Sequence, residues 1–438
     1  MRRKQVILII SFLLFSSTMW AQEKLVLGLE DAKQHAIQFN KTIENSSLAI
    51  KKSQEQLRET IAAGLPQVNA TADYNNALGA EISIQFDPSA PPSSIPINPT
   101  STFNMRVSQL IFSANYFIGV QTSKLYEQLM QATQLKTEEE IVSQVVVTYY
   151  TVLISEQSLQ ILHANVDNLQ EIYNKTKPMV EFGMMEKVEL DQLSVQLNSL
   201  INSLKSAERQ LELSKNMLRY QLGVSANTEL ELTDALEKFI QQGALTNNQQ
   251  DYFNIGDNLD YQLKVAQGDI QQKQLNMQKA NYLPTLSGYY SYTYKILKPR
   301  FDMQPKNMMG LQMSIPIFSS GERRSKVRQA KIDLETYQNE KQLLEDQLEL
   351  QYNQLVFNLK TAQENYENQS KNVEVSREVI KQYRQKFDHG MISSLELTTA
   401  DNNYLQAESA YLQATMQVLQ AQNELDKIKG KLLENFQK

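Results

Sequence analysis

Apolar residues recur every three and four positions along two stretches of this chain, and the two stretches carry the same pattern 207 residues apart. Leu190, Leu193, Leu197, Leu200, Leu204, Ala207, Leu211, Ser214 and Leu218 correspond to Leu397, Ala400, Tyr404, Ala407, Tyr411, Ala414, Val418, Ala421 and Leu425. Steps of three and four place these side chains on one face of a helix that winds about a partner. Upstream, Val145, Val152, Leu159, Val166, Tyr173 and Val180 correspond at the same shift to Tyr352, Leu359, Tyr366, Val373, Ile380 and Phe387, now with a strict seven-residue step. A seven-residue repeat held this long implies a left-handed supercoil, because an ideal helix drifts about 20° per heptad. One glycine, Gly183 or Gly390, separates the two runs of each copy. Each copy is expected to be a long helix, a break and a returning helix.

The pattern ahead of each long helix is different. Residues 30–63 and 257–282 read as amphipathic helices, stopped by Gly64-Leu65-Pro66 and Tyr282-Leu283-Pro284. Alternation with period two follows. Val68, Ala70, Ala72 and Tyr74 alternate with Gln67, Asn69, Thr71, Asp73 and Asn75, while Leu286, Gly288, Tyr290, Tyr292 and Tyr294 alternate with Thr285, Ser287, Tyr289, Ser291 and Thr293. Return strands are expected with Phe103, Met105, Val107 and Ile111 opposite Asn104, Arg106 and Ser108, and with Met309, Leu311, Met313, Ile315 and Ile317 opposite Gly310, Gln312 and Ser314. Both end in Ile-Phe-Ser, at 111–113 and 317–319.

Strands of about ten residues with one apolar and one polar face match a transmembrane β-barrel, and Tyr290, Tyr292 and Tyr294 suit its interfacial girdle. The alternative is a soluble two-stranded hairpin, which would leave its apolar face uncovered. Residues 78–101, with Pro88, Pro91, Pro92, Pro96 and Pro99, read as an exposed loop, and residues 295–307 as a shorter one. From Ser113 to Phe182 and from Ser319 to His389 each long helix covers about 70 residues, roughly 105 Å. The shorter helices before each hairpin and after each glycine sum to the same length. Pro178 is expected to kink or fray the first long helix near its end. Residues 223–256, with Gly223, Gly243 and Gly256 around a short helical stretch at 235–242, read as a connector.

Four strands cannot close a membrane barrel, and an open strand edge is not tolerated in lipid. The chain is therefore expected to oligomerise. Two copies give eight strands and a lumen filled by side chains; three give twelve and a water-filled interior, which suits a channel better.

Composition narrows the chemistry. Met1-Arg2-Arg3-Lys4, the apolar run Val6–Phe15 and the stretch Ser16–Ala21 have the three regions of a secretory signal, with cleavage expected after Ala21; the alternative is an uncleaved anchor helix, for which the run is short. Loss of residues 1–21 removes three basic residues and no acidic one, deepening the net charge from −6 to −9. That disfavours nucleic acid as a partner. The absence of cysteine excludes disulfides, thiolate metal sites, a cysteine nucleophile and a lipidated N-terminal cysteine. His35, His163 and His389 have no ligand-spaced neighbours, so neither a metal nor a cofactor is expected. No phosphate-binding Gly-x4-Gly-Lys loop or Gly-x-Ser-x-Gly elbow occurs. Glu138-Glu139-Glu140 and Glu322-Arg323-Arg324 read as solvated faces, the latter, just past a strand, with lipid headgroups or connector carboxylates as alternative neighbours, and Met184, Met185 and Met391 read as tip packing rather than soft-metal ligands.

Two copies of helix, Leu-Pro, strand, loop, strand ending in Ile-Phe-Ser, long helix, Gly-x5-Glu-Leu and returning heptad helix together resemble the TolC family of outer-membrane efflux and secretion channels. The match covers nearly all of residues 28–430 and divides the chain into a signal peptide (1–21), a first repeat (22–222), a connector (223–256) and a second repeat (257–438). The resemblance implies a mainly α fold with a transmembrane β-barrel: a homotrimer in the outer membrane of a Gram-negative bacterium, twelve strands in lipid, and a coiled-coil α-barrel tunnel in the periplasm. It implies docking to a periplasmic adaptor (membrane fusion) protein and an inner-membrane pump, and no catalysis by this chain. Carried over by position, Glu396 falls six residues after Gly390 and Thr399 nine after it, where the family often lines its aperture with two acids. Phe387 takes the aromatic place before Gly390, and Ile392 stands where some members have a basic latch residue. Glu189 and Gln192 are the equivalents in the first repeat. Gly183, Met184, Gly390 and Met391 form the tips expected to meet the adaptor, because the glycines interrupt otherwise continuous heptads. The competing function is a soluble periplasmic coiled-coil adaptor or a structural fibre component. An adaptor would carry one helical hairpin flanked by a compact β-rich domain, which this pattern lacks.

Overall fold

The computed structural model describes residues 24–85, 92–243, 253–298, 302 and 304–434. The expected signal peptide, and Pro88, Pro91 and residues 244–252 of the expected loop and connector, lie outside that set.

In chain order the elements are β1 (Lys24–Leu27), α1 (Leu29–Phe39), α2 (Lys41–Ala62), β2 (Gln67–Asn75), β3 (Glu81–Ile84), β4 (Ser93–Pro96), β5 (Thr100–Phe112), α3 (Ala114–Glu181), α4 (Lys187–Leu222), β6 (Glu229–Leu232), α5 (Leu236–Gly243), α6 (Leu259–Ala280), β7 (Thr285–Leu297), β8 (Asn307–Ser314), α7 (Glu322–Asp388) and α8 (Ser394–Ile428). Two compact units cut across the sequence repeats. One comprises residues 46–133 and 260–345, the other the residues up to Asn45, those from Gln134 to Leu259 and those from Asp346 onward, so each repeat contributes to both.

The first unit is built around one antiparallel sheet in the order β2-β5-β7-β8. Its register sorts the side chains by face. Val68 lies opposite Val107 and Val107 opposite Tyr290; Met105 lies between Ala70 and Tyr292; Tyr290 faces Met309, and Leu286 faces Met313. Because successive strand residues alternate sides, the remaining residues form a polar face: Asn69, Arg106 and Ser291 in one row, Thr71, Asn104 and Thr293 in the next. Asn104 Nδ2 donates to Thr293 Oγ1 at 3.0 Å across that face. Among the described residues strands β2 and β8 each have a partner on one side only, and much of the apolar face is exposed, including Val68, Tyr74, Met309 and Leu311. Around the sheet, each short helix is tied to its long neighbour: Gln54 of α2 donates to Glu127 of α3 at 3.0 Å, and Lys264 of α6 pairs with Glu340 of α7 at 2.7 Å. Gly268 leaves room for Tyr337, whose ring lies 2.8 Å from where a Cβ would stand.

Two strand expectations need correction. β8 ends at Ser314, so Ile315 and Ile317 do not extend the return strand. Pro316 has no N–H for the ladder and restricts Ile315 before it. Within residues 78–101, β3 pairs with β4, Ile82 opposite Ile95 and Ser83 opposite Ser94, so part of the proline-rich loop is itself a hairpin.

The second unit has a core of Leu27, Leu29, Ala36, Val145, Tyr149, Val152, Leu218, Leu222, Leu230, Phe239 and Leu419. None of the predicted heptad-seam positions is exposed: Val145, Val152, Leu197, Leu204 and Leu218 in the first repeat and Val373, Ile380, Leu397, Ala414, Val418 and Leu425 in the second are buried, while Leu159, Val166, Tyr173, Tyr352, Leu359 and Tyr366 are half-buried. Tyr149 is wholly buried, and its hydroxyl donates to Asp234 Oδ2 at 3.0 Å; the same oxygen accepts from Leu29 N at 2.7 Å and so caps α1. Strand β1 pairs in parallel with β6, Lys24 opposite Glu229, a contact spanning most of the first repeat. The short helix α5 lies where the connector was expected to be helical.

The single helix expected over residues 30–63 is broken at Asn40, whose backbone is extended (φ −66°, ψ 127°). Its buried side chain explains the break: Nδ2 donates to Gln221 O at 2.7 Å, and Oδ1 accepts from Thr42 N at 2.8 Å, which starts α2. Gly223 ends α4 in the left-handed region (φ 73°), with Phe39 O only 2.3 Å from where a Cβ would be. The second repeat builds the same joint: Asn258 Nδ2 donates to Ile428 O at 3.0 Å, and Gly430 (φ 69°) stands 2.3 Å by the same measure from Asp257 O. The duplication read from the heptads thus extends to the joints.

Candidate functional site

The two helical hairpins end in the same motif. At the first tip Gly183 N donates to Val180 O and Met184 N to Met179 O; at the second Gly390 N donates to Phe387 O and Met391 N to Lys386 O. This pairing satisfies the last carbonyls of α3 and α7 and requires a left-handed residue at its centre. Gly183 has φ 72° and Gly390 φ 69°, and a Cβ at either would meet nothing within 4 Å. The requirement is conformational, not steric. Beside them Met184 and Met391 are exposed, at 75% and 69%.

Behind the tips the two hairpins share an apolar cluster of Leu169, Ile172, Leu193, Leu197, Ile380, Leu397 and Ala400, against which Phe387 and Ile392 pack. The structure thus gives Phe387 a packing position rather than an exposed one. The second returning helix starts on a capping box that the sequence reading missed: Ser393 Oγ accepts from Glu396 N at 3.3 Å, and the Glu396 carboxylate accepts from Ser393 N at 2.9 Å and Oγ at 3.1 Å. These bonds, the backbone one above all, hold the Glu396 carboxyl below its ordinary pKa. The signal was present as Ser-x-x-Glu ahead of a heptad run.

Glu396 and Thr399 line one groove of about 490 Å³ between α7 and α8, with Val375, Val379, Tyr383 and Leu395 as its apolar wall. Glu189 lies elsewhere, its Oε2 accepting from Ser394 Oγ at 2.8 Å and so joining the two hairpins. Gln192 is exposed. The acids that the sequence placed at equivalent positions therefore occupy different surroundings.

One constellation was not foreseen. Arg377 pairs with Glu408 at 3.0 Å and Arg384 with Asp401 at 2.9 Å, one heptad apart on both helices, as antiparallel pairing dictates. Both acids are nearly buried, and Tyr404 OH donates to Glu408 at 2.5 Å. Burial pushes the Asp401 carboxyl up, and Arg384 offsets part of that. The equivalent first-repeat positions hold Gln170, Ile201, Lys177 and Ser194, so the ladder belongs to the second hairpin alone. Arginines and acids seven apart on facing runs were the legible signal.

Among the described residues no group of histidines and carboxylates could hold a metal ion, and no helix is long and apolar enough to cross a membrane. His35 faces Leu222 O at 3.1 Å, and His163 stands 3.9 Å from Glu208.

A duplicated helical hairpin and a four-stranded sheet with a largely exposed apolar face are the parts of a channel protein, and the comparisons agree. The sequence profile of the outer membrane efflux protein family matches residues 32–224 and 258–431, and the chain belongs to that family. Its fold is that of TolC-like channels of known structure. VceC of Vibrio cholerae superposes with a TM-score of 0.71 at 14% identity, over 92% of this chain and 96% of that one. CmeC of Campylobacter jejuni gives 0.72 at 16%, over 93% and 88%. The open state of MtrE from Neisseria gonorrhoeae gives 0.71 at 15%, over 95% and 94%. A comparison with curated proteins by sequence finds no match.

Proposed function

We propose that three copies of this chain form an outer-membrane exit duct, which passively conducts substrate from periplasm to exterior after docking a periplasmic adaptor and an inner-membrane pump, as part of a tripartite efflux or type I secretion system. The observation that supports this most directly is the sheet β2-β5-β7-β8, apolar on one exposed face, polar on the other and, among the described residues, unpaired at both edges. Pairing β8 of one copy with β2 of the next removes both edges and turns the apolar face to lipid. Exposed apolar positions on the helices favour copies as neighbours too: Leu343, Leu350 and Phe357 step by seven along α7, and Leu213, Met217 and Tyr220 form a stripe on α4. The expected result is recovery in the outer-membrane fraction, extraction only by detergent, and cross-linking to a trimer. Release with the soluble periplasm would favour the adaptor or fibre reading, and a dimer would replace the open lumen with a filled one.

In this reading the hairpin tips form the periplasmic aperture, and each Glu396 meets two copies of itself near the axis. Glutamine can complete the same capping box, so Glu396→Gln alters the charge while keeping the start of α8. In planar bilayers Glu396→Gln is expected to reduce cation selectivity and block by divalent ions from the periplasmic side, with little change for Glu189→Gln. Wild-type selectivity in the Glu396 variant would place the aperture elsewhere.

A further inference from the structure

Of the residues in the four paired strands, three are charged, Asp73, Arg106 and Lys295, and all lie on the polar face. Asp73 and Lys295 both neighbour Thr102 toward the loop end of the sheet, where Lys295 pairs with Asp302. Arg106 differs. It is the middle residue of β5, and its partner Ser291 is the middle residue of β7. Its row neighbours, Asn69 and Ser291, are neutral, and no carboxylate pairs with it among the described residues. A lone cation halfway along membrane-length strands is tolerated only where water reaches it, and such a residue marks a passage for charge.

The position is built rather than incidental. The Arg106 guanidinium lies over the Tyr289 ring, 4.4 Å from its centroid. That ring in turn lies across Gly310, the residue opposite it on β8: a Cβ there would be 3.0 Å from Tyr289 Cζ and OH. Glycine on one strand lets a tyrosine lie along the wall, and the tyrosine holds the arginine of a third element in place. A flat, partly immobilised guanidinium keeps its charge at a fixed depth while leaving its outer donors free for anions.

We propose that Arg106, supported by Tyr289 on Gly310, is the charge-selective point of the membrane passage and favours small anions and anionic organic solutes. This rests on the trimeric channel reading, under which three guanidinium groups would ring the lumen at mid-depth. Exit would then meet two filters of opposite sign in series, carboxylates at the aperture and guanidinium groups in the barrel.

Purified channel in planar bilayers under a potassium chloride gradient tests this through its reversal potential. Arg106→Gln is expected to raise the cation-to-anion permeability ratio about twofold or more, Arg106→Glu to raise it further, and Arg106→Lys to leave it near wild type. Tyr289→Leu should fall between wild type and Arg106→Gln, because the charge remains while its position is lost. Trimers of normal conductance whose reversal potential is the same in all four variants would overturn the inference. Failure of the wild type itself to trimerise and conduct would instead overturn the channel reading beneath it. A loss of trimer confined to Arg106→Gln, with selectivity unchanged in Arg106→Lys and Tyr289→Leu, would assign Arg106 to assembly and likewise overturn its role in selectivity.

Discussion

Leu311→Arg is expected to remove most trimer from the outer membrane, whereas Gln312→Arg beside it leaves assembly largely intact. Leu311 lies on the apolar face of β8, 74% exposed, opposite Gly288; Gln312 lies on the polar face opposite Ser287. Arginine on the lipid face of a barrel costs about 2–4 kcal/mol near the midplane and about 0–1 near the interface, whereas a lumen position is wet. Three copies multiply the penalty. Met313→Arg, one residue from the end of the strand, should be milder than Leu311→Arg because the cost falls with depth. Heat-resistant trimer in isolated membranes, measured for the three variants, checks this. Equal loss at Leu311 and Gln312 would mean that the two faces meet the same medium, and the barrel reading would fall.

Gly390→Val is expected to abolish export while folded trimer persists. The left-handed region at φ 69° costs a non-glycine residue about 1–2 kcal/mol, and a β-branched one more, because its Cβ crowds the adjacent carbonyl. Nothing else opposes the substitution, since the space around that Cβ is open. The damage is therefore confined to the turn that closes the second hairpin: the bonds from Gly390 N and Met391 N to Phe387 O and Lys386 O are strained, and the exposed Met391 is redirected. If this tip docks the adaptor, the pump uncouples from its duct. Gly390→Ala should retain part of the activity, and Gly183→Val reports whether the first tip is equally required. Full export by Gly390→Val with trimer present would remove the tip from the docking surface.

The surroundings of the residues proposed for the aperture were only partly legible. Glu396 was found by its distance from Gly390, but its bonds to Ser393 Oγ and N, which hold the carboxyl ionised, follow from a capping box read only in the structure. The ladder of Arg377 with Glu408 and Arg384 with Asp401 was overlooked because each arginine, taken alone, resembles any solvated helix residue. Only the antiparallel register of α7 against α8 shows that each faces a carboxylate nearly closed off from water. Glu189 and Glu396 look equivalent by repeat position, yet one is tied to Ser394 across the hairpins and the other opens onto a groove.

What the sequence determined by itself was carried by periodicity held over many positions: the heptad seams, the glycine breaks, the period-two faces of β2, β5, β7 and β8, and the duplication that relates one half to the other. Those signals are local and repeat many times, so burial has few alternative ways to satisfy them. The tertiary structure alone decided what depends on single long-range contacts. Lys24–Leu27 becomes a strand only because Glu229–Leu232 lies beside it, and neither is long enough to announce itself. Asn40 breaks a helix its neighbours would continue because Gln221 O awaits its side chain. Arg106 acquires its place from Tyr289 and, through it, from Gly310, which is brought opposite by strand register. One hydrogen bond or one stacked ring at large sequence separation leaves no period to read, since its partner is fixed only after the chain has folded.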